Sequence, residues 1–133
     1  KGKLLNYRGE RPIWIDGAHN SHSATALAAS LAKITDEKWT CIAGMLETRK
    51  PVDIFMPLKH LISEIFTITI PGQVTSLSAQ ELSENCQDLG IIANAKSSLS
   101  EALSATCESE FVVICGSLYL AGQVLEENQT PPD

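Results

Sequence analysis

The residues of this chain best suited to chemistry fall in three short polar clusters. Asp16-Gly17-Ala18-His19-Asn20 sets a carboxylate, an imidazole and an amide close together. Glu47-Thr48-Arg49-Lys50 sets an acid beside two cations, and Gly116-Ser117-Leu118-Tyr119 sets a hydroxyl between a glycine and a phenol. These side chains offer acceptors for ligand hydroxyls and donors or cations for an anion, the inventory of a site for a polar, negatively charged ligand. Each residue also has an ordinary structural reading. Asp-Gly is common turn chemistry, Asn20 or Ser21 suits a helix N-cap, and Ser117 suits another. His19 suits a surface turn, and Arg49 and Lys50 suit solvated side chains. His22 and His60 have no partner in the sequence. No reaction centre is complete, since the chain has neither a GxxxxGK[ST] phosphate loop nor GxGxxG, and no supported Ser/His/Asp or Cys/His set.

What would bring the clusters together is the order of the elements. Short β-branched runs alternate with helical stretches. Arg11–Asp16 reads as a strand, and Asn20–Ile34 as a helix with Leu27, Leu31 and Ile34 on one face. Trp39–Met45 is a second strand. Pro51 suits the first turn of a helix reaching about Ile62, with Ile54, Phe55, Leu58, Leu61 and Ile62 inward and a kink or break at Pro57. The stretch Glu64–Ile70 is a third strand, closed by Pro71-Gly72. Ser78 and Glu81 form a capping box that opens a helix stopped at Gly90, and Ser98 and Glu101 form a second box, opening a helix through Cys107. Between these two helices, Ile91–Ala95 is a fourth strand. Phe111–Cys115 is the fifth and most apolar strand, and Ser117 to about Glu127 is the last helix.

Such alternation predicts an α/β fold, a doubly wound and mostly parallel sheet of five strands, with Leu4–Tyr7 as an antiparallel edge strand. Ligands of open parallel sheets bind beyond the carboxyl ends of the strands. All three polar clusters fall there, which is the main reason to read them as one site. Tyr119 is expected either to line it or to pack in the core, and Trp14 and Trp39 are expected in the core.

Composition narrows the class. With 133 residues the chain suffices for one domain with its own core, and 44% hydrophobic with 20% charged residues is a globular balance. A net charge of −6 disfavours non-specific binding to nucleic acid, and no apolar run is long enough to span a membrane. The four cysteines lack CxxC pairing or histidines at metal-ligand spacing, so no metal site is expected. Three lie in apolar segments and read as reduced core residues, which points to the cytoplasm.

Asp16-Gly-Ala-His-Asn20 at the end of a strand resembles the D-G-A-H-N motif of the C-terminal domain of folylpolyglutamate synthase/dihydrofolate synthase, in the Mur ligase superfamily. Ile114-Cys-Gly-Ser-Leu-Tyr-Leu-Ala-Gly-Gln-Val-Leu125 resembles that family's closing G-S-L-Y-L-x-G-x-x-L signature, and Ile70-Pro-Gly72 is similar to its I-P-G turn. The resemblance covers about residues 3–128 and implies a Rossmann-like Mur ligase C-terminal domain over 1–128, with 129–133 a disordered tail. Where the family often carries N-T-K-D, this chain has Glu47-Thr-Arg-Lys50; Arg49 replaces the family lysine as a cation, and Lys50 stands where an acid is usual.

The activity implied is ATP- and Mg²⁺-dependent joining of L-glutamate to dihydropteroate or to the glutamate tail of a folate, through an acyl phosphate. An N-terminal ATPase domain, absent from this chain, would hold the triphosphate and metal, so the isolated chain is expected to fold but not to turn over. The resemblance assigns Asp16, His19 and Asn20 to the nucleotide, with Asp16 at the ribose hydroxyls, His19 near nucleotide or phosphates, and Asn20 orienting the turn or reaching glutamate. It assigns Ser117, Tyr119 and Arg49 to glutamate. Another Mur-type amide ligase, or a non-catalytic nucleotide-binding α/β module, is the alternative.

Overall fold

The computed structural model describes residues 3–7 and 11–127. The chain runs β1 (Lys3–Tyr7), β2 (Arg11–Ile15), α1 (Ser21–Ile34), β3 (Trp39–Ala43), α2 (Pro51–Leu58), a 3₁₀ turn (Lys59–Leu61), β4 (Ile62–Thr67), α3 (Ala79–Asp88), β5 (Ala93–Ala95), α4 (Leu99–Ala105), β6 (Val112–Cys115) and α5 (Leu118–Glu127). One sheet forms in the order β1-β2-β6-β3-β4-β5. β2, β6, β3, β4 and β5 are parallel, and β1 pairs antiparallel with β2, as expected for the edge.

Buried side chains of α1, α2 and α3 share one core with Trp39, Cys41, Ala43 and Cys115, while those of α4 and α5 share a second core with Ile13, Ile15, Ile42 and Ile114. Both faces of the sheet are therefore covered, and every residue of β3 and β6 is buried. The chain crosses from β2 through β3 and β4 to β5, then reverses to place β6 between β2 and β3. Right-handed crossovers require the helices to change face at that reversal, so loops leaving β6 and its neighbours part in opposite directions. A crevice opens there, at the topological switch point.

Several sequence expectations shift locally. α2 ends at Leu58, one residue past Pro57, and continues as a 3₁₀ turn, because Pro57 has no N–H for the helical ladder. Ile62 consequently starts β4 and is not part of a helix. β4 ends at Thr67; Ile68 and Ile70 remain buried in the second core, beyond the ladder. β3 stops at Ala43 and β5 spans only Ala93–Ala95. Ile34, expected inward, is exposed at the end of α1. α3 has the full capping box between Ser78 and Glu81. At α4, Ser98 accepts from the Glu101 N–H, but the Glu101 carboxylate accepts from the Ser97 N–H and hydroxyl instead of returning to Ser98. α4 ends at Ala105, short of Cys107. Trp39 is core and tilts against Phe111 at 5.4 Å, whereas Trp14 is only partly buried. The expected tail at 129–133 lies outside the described residues. Among these, no helix is long and apolar enough to cross a membrane.

Candidate functional site

The three polar clusters meet at Gly116. Its N–H donates to the Ala18 carbonyl at 3.1 Å, and the Asp16 N–H donates to Ile114 at 2.9 Å, tying the exits of β2 and β6 together. Gly116 has φ +110°, and a β-carbon on it would stand 2.6 Å from the Gly44 carbonyl oxygen, where β3 leaves the sheet. Only glycine adopts this conformation freely and allows such an approach. Gly17 serves similarly, since the Leu118 side chain fills the space its β-carbon would take. An open cleft of about 280 Å³ results, lined by His19, Leu46, Arg49, Gly116, Ser117, Leu118 and Tyr119.

Four of the six expected site residues line this cleft: His19, Arg49, Ser117 and Tyr119. The Ser117 oxygen caps α5, accepting from the N–H groups of Tyr119 at 3.0 Å and Leu120 at 3.5 Å. The cap uses the oxygen's lone pairs and leaves the hydroxyl proton to donate. Beside it lies the positive end of the α5 dipole, where the Tyr119 and Leu120 N–H groups are taken up by the cap. Tyr119 is 54% exposed, so it lines the cleft and is not core. His19 Nδ1 lies 3.0 Å from the Gly17 carbonyl oxygen. A carbonyl only accepts, so Nδ1 carries the proton in that bond and Nε2 is the ring atom left for a ligand. Arg49 is exposed at the cleft and has no carboxylate partner among the described residues.

Asp16 and Asn20 stand apart from the lining. Asp16 is 6% exposed, and one carboxylate oxygen accepts from the Ala18 N–H at 2.8 Å, which shapes the turn. Asn20 is the N-cap of α1, accepting from the Ser23 N–H at 2.8 Å in a reciprocal box with Ser23. Their ordinary structural roles are thus realised, and ligand contact would use the second Asp16 oxygen and the Asn20 amide nitrogen.

Sequence reasoning missed what holds Arg49. Leu46 bridges antiparallel to Ser76, the Glu47 N–H donates to Thr75 at 2.7 Å, and the Leu77 N–H donates to Met45 at 2.8 Å. The arm after β3 is therefore strapped to the loop after β4. The Ile70-Pro-Gly72 turn was the one sequence signal for that loop.

Three thiols lie in the first core. Cys41, Cys86 and Cys115 are buried, and Cys107 is exposed. Cys41 and Cys115 sulfurs are 3.7 Å apart, and this contact with burial raises the Cys41 thiol well above its ordinary range. Burial, with Cys115 nearby, pushes the Cys86 thiol up to about 12. No three His, Cys, Asp or Glu side chains among the described residues are grouped to hold a metal ion.

A family profile described as the dihydrofolate synthetase C-terminal domain matches residues 5–127. No curated protein sequence matches. Solved structures that share the fold include the following three. Folylpolyglutamate synthase of Mycobacterium tuberculosis, complexed with ADP, is 18% identical with a TM-score of 0.82 over 94% of this chain and 31% of that one. FolC of E. coli, in complex with DHPP and ADP, is 20% identical with a TM-score of 0.79 over 96% of this chain and 30% of that one. A bifunctional folylpolyglutamate synthase/dihydrofolate synthase with Mn, AMPPNP and L-glutamate bound is 23% identical with a TM-score of 0.79, again over 96% and 30%. The chain thus spans under a third of the length of these proteins.

Proposed function

This chain belongs to the dihydrofolate synthetase C-terminal domain family, and from that premise we propose that it is the glutamate-receiving domain of an ATP-dependent amide ligase acting on dihydropteroate, a folate, or both. The observation that carries the reading is the convergence of His19, Arg49, Ser117 and Tyr119 on one cleft at the switch point of the sheet. L-Glutamate presents two carboxylates and an ammonium group. The Ser117 hydroxyl and the first turn of α5 suit one carboxylate, and the Arg49 guanidinium suits the other. His19 Nε2 can accept from the ammonium group, which orients the amine for attack. The L-glutamate, DHPP, AMPPNP and Mn bound to structural relatives agree with these substrate classes.

ATP, as co-substrate, would phosphorylate the pterin or folate carboxyl. Once the glutamate ammonium group has given up a proton, its nitrogen attacks that carbonyl, forming the amide, expelling phosphate and releasing the remaining amine proton. Asp16 fits the ribose hydroxyls through its second oxygen, and Asn20 lies on the same turn. As the family resemblance implies, an N-terminal ATPase domain would hold Mg²⁺ and the triphosphate, and no step here runs through the metal. What these residues contribute is capture and orientation of glutamate and, on closure, exclusion of water from an acyl phosphate prone to hydrolysis. Three buried free thiols favour a cytoplasmic setting. The test supplies the intact enzyme carrying this domain with ATP, Mg²⁺, dihydropteroate or folate, and labelled L-glutamate. One ADP and one phosphate per amide formed support the reading; ADP release without glutamylated product contradicts it.

A further inference from the structure

We infer that Ser76 is a positioning residue that sets glutamate affinity by holding the Arg49 arm at the cleft; this rests on the glutamate reading above. Ser76 lies on the loop after β4 and does not line the cleft. Its hydroxyl oxygen accepts from the Ile70 N–H at 2.9 Å and donates to the Leu77 carbonyl at 2.8 Å, with the Met45 carbonyl at 3.4 Å. One side chain thus closes the 70–76 loop on itself and ties its far end to the exit of β3. The closed loop presents Thr75 and Leu77 as partners for Glu47 and Met45, and Ser76 itself bridges Leu46. From that anchored stretch the chain turns through the Arg49 N–H to Leu46 carbonyl bond, 3.1 Å, to bring Arg49 to the cleft.

The physical consequence is a matter of order. Arg49 is exposed and has no ion-pair partner among the described residues, so only its backbone is held in place. A long side chain on a fixed backbone already gives up rotamer entropy when it pairs with a carboxylate; on a loosened arm it must also give up backbone freedom. Removing the Ser76 hydroxyl strands the Ile70 N–H and frees the loop that the arm rests on, so the loss should appear in glutamate binding.

A double-mutant cycle in the intact enzyme tests this. Arg49→Ala should raise the glutamate KM and leave the ATP KM unchanged. Ser76→Ala should raise the glutamate KM about three- to tenfold, the range of one lost hydrogen bond, with kcat and the ATP KM near wild type. Ser76→Thr, which keeps the hydroxyl, should restore it. In the Arg49→Ala background, Ser76→Ala should add nothing further to the glutamate KM. If Arg49→Ala changes no glutamate parameter, the glutamate reading falls and this inference with it. If Arg49→Ala acts and Ser76→Ala leaves the glutamate KM unchanged, or the two effects simply add, only the inference falls. Should Ser76→Ala not fold, Ser76→Cys, with a weaker acceptor in similar volume, takes its place in the same cycle.

Discussion

Gly116 sits directly against the carbonyl of Gly44: a β-carbon on Gly116 would come within 2.6 Å of that oxygen, and its φ is +110°. This contact is where β6 and β3 leave the sheet together, and it fixes the floor of the cleft. Gly116→Ala must both enter an unfavourable backbone region and push β3 away. A cost of about 2–4 kcal/mol follows, lowering the thermal midpoint by on the order of 10 °C. Calorimetry showing an unchanged midpoint would mean that the two strands are not in this contact.

Asp16 and His19 separate turn formation from ligand contact. Asp16→Asn keeps an oxygen to accept from the Ala18 N–H, so the turn should survive with little change in midpoint. A raised ATP KM in that variant supports a ribose contact; a lowered midpoint with normal ATP kinetics returns Asp16 to turn formation. His19→Ala removes a ring that lines the Ser117 cleft and should raise the glutamate KM by about tenfold. An effect on the ATP KM alone would move His19 to the nucleotide.

The thiols carry a pH signature. Cys86 is held up to about 12 when folded and would titrate near about 8.5 unfolded. The folded state therefore keeps the proton longer. Its stabilisation is full below about pH 8.5 and is lost progressively as pH rises toward 12. Chemical denaturation at pH 7 and pH 10 should show lower stability at pH 10, with a smaller drop in Cys86→Ala; an equal drop in both would contradict the assignment. At pH 7 only exposed Cys107 should react rapidly with a thiol reagent, and all four cysteines after unfolding.

Much of this was legible in the residues, and what was not has physical causes. The alternation of apolar runs with capped helices, at Ser78 and Gly90 above all, led directly to a parallel sheet, and that topology alone brought three polar clusters to one edge. Pro57 was read as a kink or break, but where the helix would end depends on how Ile62 pairs with Trp39 in the sheet, a contact distant in sequence. Asp16, His19 and Asn20 adjoin in sequence and read as one unit. The turn divides them: all three side chains bond the backbone, but only His19 among them also lines the cleft. Ser76 carries no sequence pattern at all, because its role comes from meeting Met45 across two loops.

Glu101 offers an independent check on the fold outside the site. Hydrogen bonds from the Ser97 N–H and hydroxyl hold its carboxyl below the usual range. A depressed folded value stabilises above the unfolded one, near about pH 4.3, and the contribution disappears as pH falls through the folded value. Glu101→Gln should slightly lower the midpoint at pH 7, with an effect that shrinks as pH falls through the folded value; an effect that stays constant with pH would place Glu101 away from Ser97.

The claim that this cleft receives glutamate is tested most directly by the ratio of two Michaelis constants in Ser117→Ala. The variant loses a cap worth about 1 kcal/mol, so a modest fall in midpoint is expected on either view. If the hydroxyl donates to a glutamate carboxylate, the glutamate KM should rise roughly tenfold to a hundredfold while the ATP KM stays put, the effect of one hydrogen bond to a charged ligand. A lowered midpoint with the glutamate KM unchanged would show that Ser117 does no more than cap α5, and that the cleft holds something else.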